Sequence, residues 1–304
     1  MSRLRLLTLV LITAAASPSL WGEQAFPRLK GPYLGQDPPG TTPQLFAPGV
    51  IVDDGHEGSS GFALGGSVFL YQRFLDRRAH TYVMYLRDGY WTAPELIPFW
   101  ETMVHNGDFV VSSDDETLLY QVKTEGAAGL VSSIWRVRVE AEGWGERIRL
   151  PAPINTVHGE SFAAEARNGK LYFFSRRPGG VGKSDLYVSA LEDGTYVDPE
   201  NLTSLNTEHH EWDPFIAPDE SYLIFCSTRP EGLGADDLYI SFRGAAGEWS
   251  QPVNMGERIN SDRSENRPYV TRDGRYFFYT SSRRGNRDIY WVAAGLLDQF
   301  RVAR

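Results

Sequence analysis

The sequence predicts an all-β fold, a closed five-bladed β-propeller of four-stranded antiparallel blades. A similar segment recurs five times, starting at Glu57, Asn106, Glu160, Glu211 and Glu265, at intervals of 49, 54, 51 and 54 residues. Each copy is built from short aromatic and β-branched runs, in a chain with 13% aromatic residues and 30 glycines and no long amphipathic helical pattern. A repeat period of roughly fifty residues made of such runs marks a radial or linear array, because one unit cannot bury its apolar faces alone.

The fourth copy, EWDPFIAPDESYLIFCSTRPEGLGADDLYISFRGAAGEWSQPVNMGERIN, lays out the unit. Residues 212–217 read as a first strand, 222–227 as a second, 237–242 as a third and 249–255 as a fourth. Tight turns join first to second strands at Gly65-Gly66, Asp114-Asp115, Asn168-Gly169, Asp219-Glu220 and Asp273-Gly274. Asp88-Gly89, Glu142-Gly143, Asp193-Gly194 and Gly247-Glu248 turn third strands into fourth ones. These residue types tolerate positive φ or close a turn through side-chain bonds. The fifth copy runs out of chain after its third strand at 290–292, whereas an orphan strand at 44–51 precedes the first copy. Pairing the two would complete the fifth blade and remove an exposed sheet edge.

The segments APDESYLIFCSTRPEGLGADDLYIS and TRDGRYFFYTSSRRGNRDIYWV resemble the PD40, or WD40-like, repeats of TolB-type propellers. The shared pattern is a Pro-Asp-Gly-like turn, an aromatic strand, Ser-x-Arg, a Gly-rich loop and Asp-Ile-Tyr. The resemblance spans about 42–300 and is sharpest in the last three copies. It implies a propeller. TolB itself has six blades and an extra N-terminal domain, so its partner role is not carried over.

Residues 1–16 read as a signal peptide, with Arg3 and Arg5 before the apolar run 6–16, which is too short to span a bilayer. No cysteine follows that run, so a lipid anchor is not expected. Residues 17–41 read as a Pro/Gly-rich linker and 42–304 as the propeller, giving an exported protein, periplasmic or secreted, and a monomer. Removing 1–16 takes away two arginines and moves the formal net charge from −9 to −11. So acidic a chain repels nucleic acid and anionic membranes, and neither nucleic-acid binding nor membrane insertion is expected. Cations, protein partners or neutral ligands such as glycans fit better. Cys226, the single cysteine, lies in an apolar strand and reads as a buried, inert thiol.

In this scheme the blade-to-blade links and second-to-third loops share one face, and all six histidines fall there. His56, His105, His158, His209 and His210 precede first strands, and His80 is placed in a second-to-third loop. Beside them, Glu57, Glu160, Glu211 and Glu265, with Asn106, form a ring of oxygen donors that could bind a divalent cation. A residue repeated in every blade more often serves the repeat. Residues that break the repeat are better ligand candidates: Trp212, where other blades have Gly58, Gly107, Ser161 and Asn266; Arg267, where Asp213 and Ser59 stand; and Trp100, in the link toward His105. An aromatic ring at a channel mouth can stack on a sugar.

Arg177, Arg229 and Arg283 or Arg284, with Asp185, Asp237 and Asp288, recur at one spacing and read as intrablade ion pairs. Trp91, Trp144, Tyr196 and Trp249 read as blade-packing aromatics. The opposite face, made of tight turns, is expected to offer little concave surface. The chain has no Gly-x-Ser-x-Gly, HExxH or P-loop motif. The expected function is a non-catalytic propeller binding a protein or glycan through its histidine-bearing face. The rival is a metal-assisted carbohydrate-active enzyme, hydrolase or lyase, working through the Glu/His ring.

Overall fold

The structure, a computed structural model, describes residues 26–52, 55–75, 78–99, 105–126, 129–141 and 143–301, the side chains of His105 and Asn106 excepted. The signal peptide expected over 1–16 and the candidate Trp100 lie outside the described residues. Five antiparallel sheets follow one another along the chain. The first blade holds Glu57–Ala63, Val68–Leu75 and Arg78–Arg87, with an outer strand split into Tyr90–Trp91 and Glu95–Leu96. The second holds His105–Val111, Thr117–Gly126 and Gly129–Glu140, again with a split outer strand, Gly143–Trp144 and Ile148–Arg149. The third runs Glu160–Glu165, Leu171–Ser175, Asp185–Ser189 and Glu200–Asn201. The fourth runs Glu211–Ile216, Tyr222–Ser227, Asp237–Phe242 and Val253–Asn254. The fifth takes Glu265–Val270, Tyr276–Ser281 and Asp288–Ala293 from the end of the chain and Gln44–Leu45 from its beginning.

Each innermost strand packs against the innermost strands of both neighbouring blades, the fifth returning to the first, so these strands enclose a central channel. Aromatic and aliphatic side chains fill the wedges between blades: Phe69, Tyr71, Phe225, Phe277, Tyr279 and Trp291 are all essentially inaccessible. Polar links cross the same seams. The Tyr269 hydroxyl donates to the Phe62 carbonyl (3.0 Å), Thr280 Oγ1 to the Gly58 carbonyl (2.9 Å) and Gln72 Nε2 to the Gly107 carbonyl (2.7 Å).

Gln44 lies opposite Trp291 and Leu45 opposite Tyr290, and the ladder continues through the Phe46 N–H to the Ile289 carbonyl (2.9 Å). The stretch before this strand is more than a spacer. From Phe26 on it lies against the first and fifth blades. The Trp91 N–H donates to the Leu29 carbonyl (3.0 Å), Leu34 is buried, and the Tyr33 ring meets Phe62, Tyr276 and Trp291.

Every innermost strand carries a β-bulge just after its start, for instance between Trp212 and Phe215 and between Asn266 and Tyr269. The strand register corrects the repeat alignment in the second blade. His105 faces Lys123 where Glu160 faces Ser175 and Glu211 faces Ser227, so His105, not Asn106, stands at the ring position, and Asn106 is the counterpart of Trp212. His80 is also displaced from its expected loop: it pairs with Arg73 inside the third strand of the first blade. Blade-packing aromatics divide: Trp91 and Tyr196 are buried, whereas Trp144 and Trp249 are half-buried.

The last three blades share a buried polar unit. Glu211, fully buried, accepts from the Thr207 N–H (2.8 Å), Thr207 Oγ1 (2.7 Å), Ser227 Oγ (2.8 Å) and the Arg229 guanidinium (3.2 Å). Glu160 is held the same way by Thr156, Ser175 and Arg177, and Glu265 by Ser261 and Ser281, with Arg283 donating to Ser281 and to the Ile259 carbonyl. The expected Arg–Asp pairs are therefore replaced. Arg177 and Arg229 pair with the ring glutamates, while Asp185 and Asp237 cap the second-to-third loops, Asp237 accepting from the Gly234 N–H (3.0 Å) and Asn254 Nδ2 (2.7 Å). Among the described residues, only Arg284 and Asp288 approach as an ion pair of the expected kind, at 3.6 Å.

Glu211→Gln removes the charge that Arg229 neutralises in a dry site. Loss of one partner of a buried pair predicts a destabilisation of roughly 3 kcal/mol, measured by denaturant unfolding and unchanged by chelator. Deleting residues 42–46 exposes the edge of Asp288–Ala293 and uncovers Trp291. The deletion protein is expected to melt earlier and to aggregate, as read by scanning fluorimetry and light scattering.

Candidate functional site

The chain direction of each blade brings three kinds of strand end to one face: the starts of first strands, the ends of second strands and the starts of third strands. There a cavity of about 470 Å³ opens on the channel. Its wall takes Asp108, Ser161, Trp212, Asp213, Asn266 and Arg267 from innermost strands of four blades. Lys123, Phe174 and Arg176 come from second strands or just beyond, and Asp236 and Arg287 from the starts of third strands.

The bulges aim these groups. Asp213 and Arg267 occupy equivalent bulge positions with φ of 50° and 53°, a left-handed conformation that side chains bearing Cβ rarely adopt. Arg267 Nε donates to Asp108 Oδ1 at 2.7 Å, and its Nη1 to Asn266 Oδ1 at 2.7 Å. The backbone N–H of Arg267 donates to the Asp213 carboxylate. Burial nonetheless pushes the Asp213 carboxyl up to about 7, against the attraction of Arg267 and with the help of Asp108. Asp236 is also raised, first by burial, while its bond to Ser264 and the charges of Arg267 and Arg287 pull the other way.

Trp212 stands at the edge of this charged floor, half-buried. Its indole stacks on the His210 ring (4.9 Å between centroids, 20° between planes) and lies 6.5 Å from Phe174, while Nε1 donates to Cys226 Sγ at 2.8 Å. Cys226 is completely buried, and burial holds its thiol well above the usual range, in keeping with an inert role.

Of the residues singled out from sequence, Trp212, Arg267 and His158 line the cavity, and His210 supports it through Trp212. His210 Nδ1 lies 2.9 Å from Ser184 Oγ, and burial first, then Arg176 and Lys183, lower its pKa. His209 contributes backbone bonds to Thr207 and Lys183, and His56 Nδ1 accepts from the Arg287 N–H (3.2 Å); neither lines the cavity.

Glu160, Glu211 and Glu265 do not fit a cation. Glu57, Glu160, Glu211 and Glu265 are completely buried, and the bonds of Glu160, Glu211 and Glu265 commit their oxygens to their own blades. Among the described residues, no group of three or more His, Cys, Asp or Glu is arranged to hold a metal.

Sequence reasoning missed Asp108, Asp236, Lys123, Arg176 and Arg287 as site residues. Extending the test for repeat-breaking positions finds three of them. Arg176 stands where Thr228 and Ser282 follow the strand serine, Arg287 where Ser184 and Asp236 precede the loop aspartate, and Lys123 where Ser175, Ser227 and Ser281 bond the ring glutamate. The face of tight turns is also less flat than expected. A second cavity, about 550 Å³, lies there between Tyr33, Phe62, Leu86, Asp115 and Asp273.

No known family's sequence profile matches the chain, and no curated protein matches it in sequence. Solved structures match its fold. A thermostable family-43 glycoside hydrolase aligns with a TM-score of 0.51 at 12% identity, over 80% of this chain and 90% of that one. An endo-arabinase from Bacteroides thetaiotaomicron aligns at 0.50 and 14% identity, over 87% and 96%. TolB from Acinetobacter baumannii aligns at 0.47 and 17% identity over 80% of this chain, which spans 55% of the TolB chain. At such identities the likeness is one of fold.

The raised Asp213 carboxyl has a consequence for stability. Its folded value exceeds that of an unfolded aspartate, about 3.9, so the folded protein binds the extra proton. Stability from this group is present at low pH and is lost as pH rises from about 4 to 7. Asp213→Asn is expected to remove that part of the pH dependence and to exceed the parent protein in stability at alkaline pH, as measured by denaturant unfolding across a pH series.

Proposed function

We propose that this chain is an exported, PD40-like propeller that binds a glycan at its channel mouth, with Trp212 as the stacking platform. The observation that carries this reading is a partly exposed indole, held flat by His210, beside a polar cavity of about 470 Å³. That volume suits one to a few sugar units better than a protein surface. Carbohydrate sites combine an aromatic face with converging hydrogen-bonding groups, and Asp108, Ser161, Asn266, Arg267 and Arg287 supply those groups here. Export rests on residues 1–16, and among the described residues no helix is long and apolar enough to cross a membrane.

A second reading has its own support. Two aspartates in the cavity, Asp213 and Asp236, are raised by burial, as befits a proton donor working beside a carboxylate such as Asp108. This would make the protein a metal-independent glycoside hydrolase rather than the ring-based metalloenzyme. The propeller fold that the chain shares with a family-43 glycoside hydrolase and an endo-arabinase is compatible with this reading.

Trp212→Ala is expected to weaken oligosaccharide binding by about 1–3 kcal/mol in calorimetry. It should cost less stability than Trp291→Ala, which empties a core site at roughly 3–5 kcal/mol. Equal destabilisation by both would make Trp212 a core residue and remove the platform. Incubation of the parent protein with an oligosaccharide panel, read by new reducing ends that Asp213→Asn abolishes, would establish the hydrolase reading over pure binding.

A further inference from the structure

We infer that the channel-mouth cavity takes an acidic glycan, a uronic-acid oligosaccharide whose carboxylate is gripped by Arg176 and Arg287; this rests on the glycan reading above. Three observations on the site carry it.

The first is local charge. The chain as a whole is acidic, at −9, yet the cavity wall carries Lys123, Arg176, Arg267 and Arg287 against Asp108, Asp213 and Asp236. Arg267 is internally neutralised by Asp108 at 2.7 Å. Among the described residues, the side chains of Lys123, Arg176 and Arg287 make no hydrogen bond or ion pair, although Arg287 lies over the Phe74 ring at 5.2 Å. Arg267 repels the Arg287 guanidinium, while Asp108, Asp236 and Asp213 attract it without direct pairing. Burial, with Asp108 nearby, raises the Asp213 carboxyl and so favours its neutral form.

The second is that the repeat does not ask for these cations. Arg176, Arg287 and Lys123 belong to three different blades and stand where others of the last three blades have Thr or Ser, Ser or Asp, and Ser, although the first blade has Arg73 at the Lys123 position. In the third and fourth blades such positions serve the fold: Ser227 bonds Glu211 and Ser184 contacts His210. Three separate departures from the repeat converge on one cavity.

The third is shape. A guanidinium presents a planar fork that matches a carboxylate in two parallel bonds. The fork of Arg176 and the indole of Trp212 belong to one cavity, so a ligand needs both an apolar ring face and a carboxylate. A uronic acid has both in one unit.

The test uses the mature protein and three probes, short oligogalacturonate, alginate and hyaluronan oligosaccharides, each beside its carboxyl-reduced neutral form, with hexaglutamate as an acidic peptide. Calorimetry at low ionic strength should show at least one acidic sugar binding about tenfold or more tighter than its reduced form. Raising salt should erode that preference. Arg176→Gln/Arg287→Gln, both exposed positions, should keep the parent melting temperature and abolish the preference, whereas Trp212→Ala should weaken acidic and neutral forms alike. Equal binding of acidic and reduced sugars would overturn the inference while leaving the glycan reading intact. Binding of hexaglutamate in place of every sugar, or of no probe at all, would overturn both.

Discussion

A buried carboxylate at the start of the innermost strand organises the last three blades. In the fourth blade Glu211 binds the preceding link through Thr207, the end of the second strand through Ser227, and the following loop through Arg229. The link is in turn tied to the third strand of the preceding blade, since the Glu211 N–H donates to the Ser184 carbonyl (2.9 Å) and Asn206 brackets Leu186. One charged group thus sets where a blade begins, how far it lies from its neighbour and which way its loop points. A lone buried charge would be prohibitive; this one is stable because its partners come from three segments that fold together.

The site arises where that unit is lost or varied. The second blade has His105 and Lys123 at the positions of the glutamate and serine, and Glu125 where the arginine would stand, so Lys123 is released to the cavity. The bulges at Asp213 and Arg267 hold charged side chains in a left-handed backbone conformation that costs about 1–3 kcal/mol at a non-glycine residue. Such conformations persist where surrounding packing over-determines them, and here the flanking ladders and the Arg267–Asp108 pair do so.

Charge shows how far an average can sit from a site. A net charge of −9 argues against polyanions as general partners, yet four basic side chains meet at one mouth. Long-range repulsion limits non-specific association and leaves a short-range, partly desolvated cluster free to select a small acidic ligand, because screening leaves little of a distant charge within a pocket.

The sequence by itself determined the architecture. Five copies with turn residues at matching places, and an unmatched strand at 44–51, specify both the number of blades and the source of the last outer strand, because period and alternation are local properties of the chain. It also picked out Trp212 and Arg267, which depart from their counterparts in the other copies, and His158, which shares a face with the other histidines. What only the tertiary structure decided was pairing and register. The one-residue shift that puts His105 at the ring position depends on which residues face each other across a bulged ladder. The glutamates and arginines, read as separate sets, proved to be one unit because the strand ends that carry them meet in space. Asp108, Arg176 and Arg287 come from three blades and share no sequence window, so their convergence on Trp212 exists only once the ring has closed.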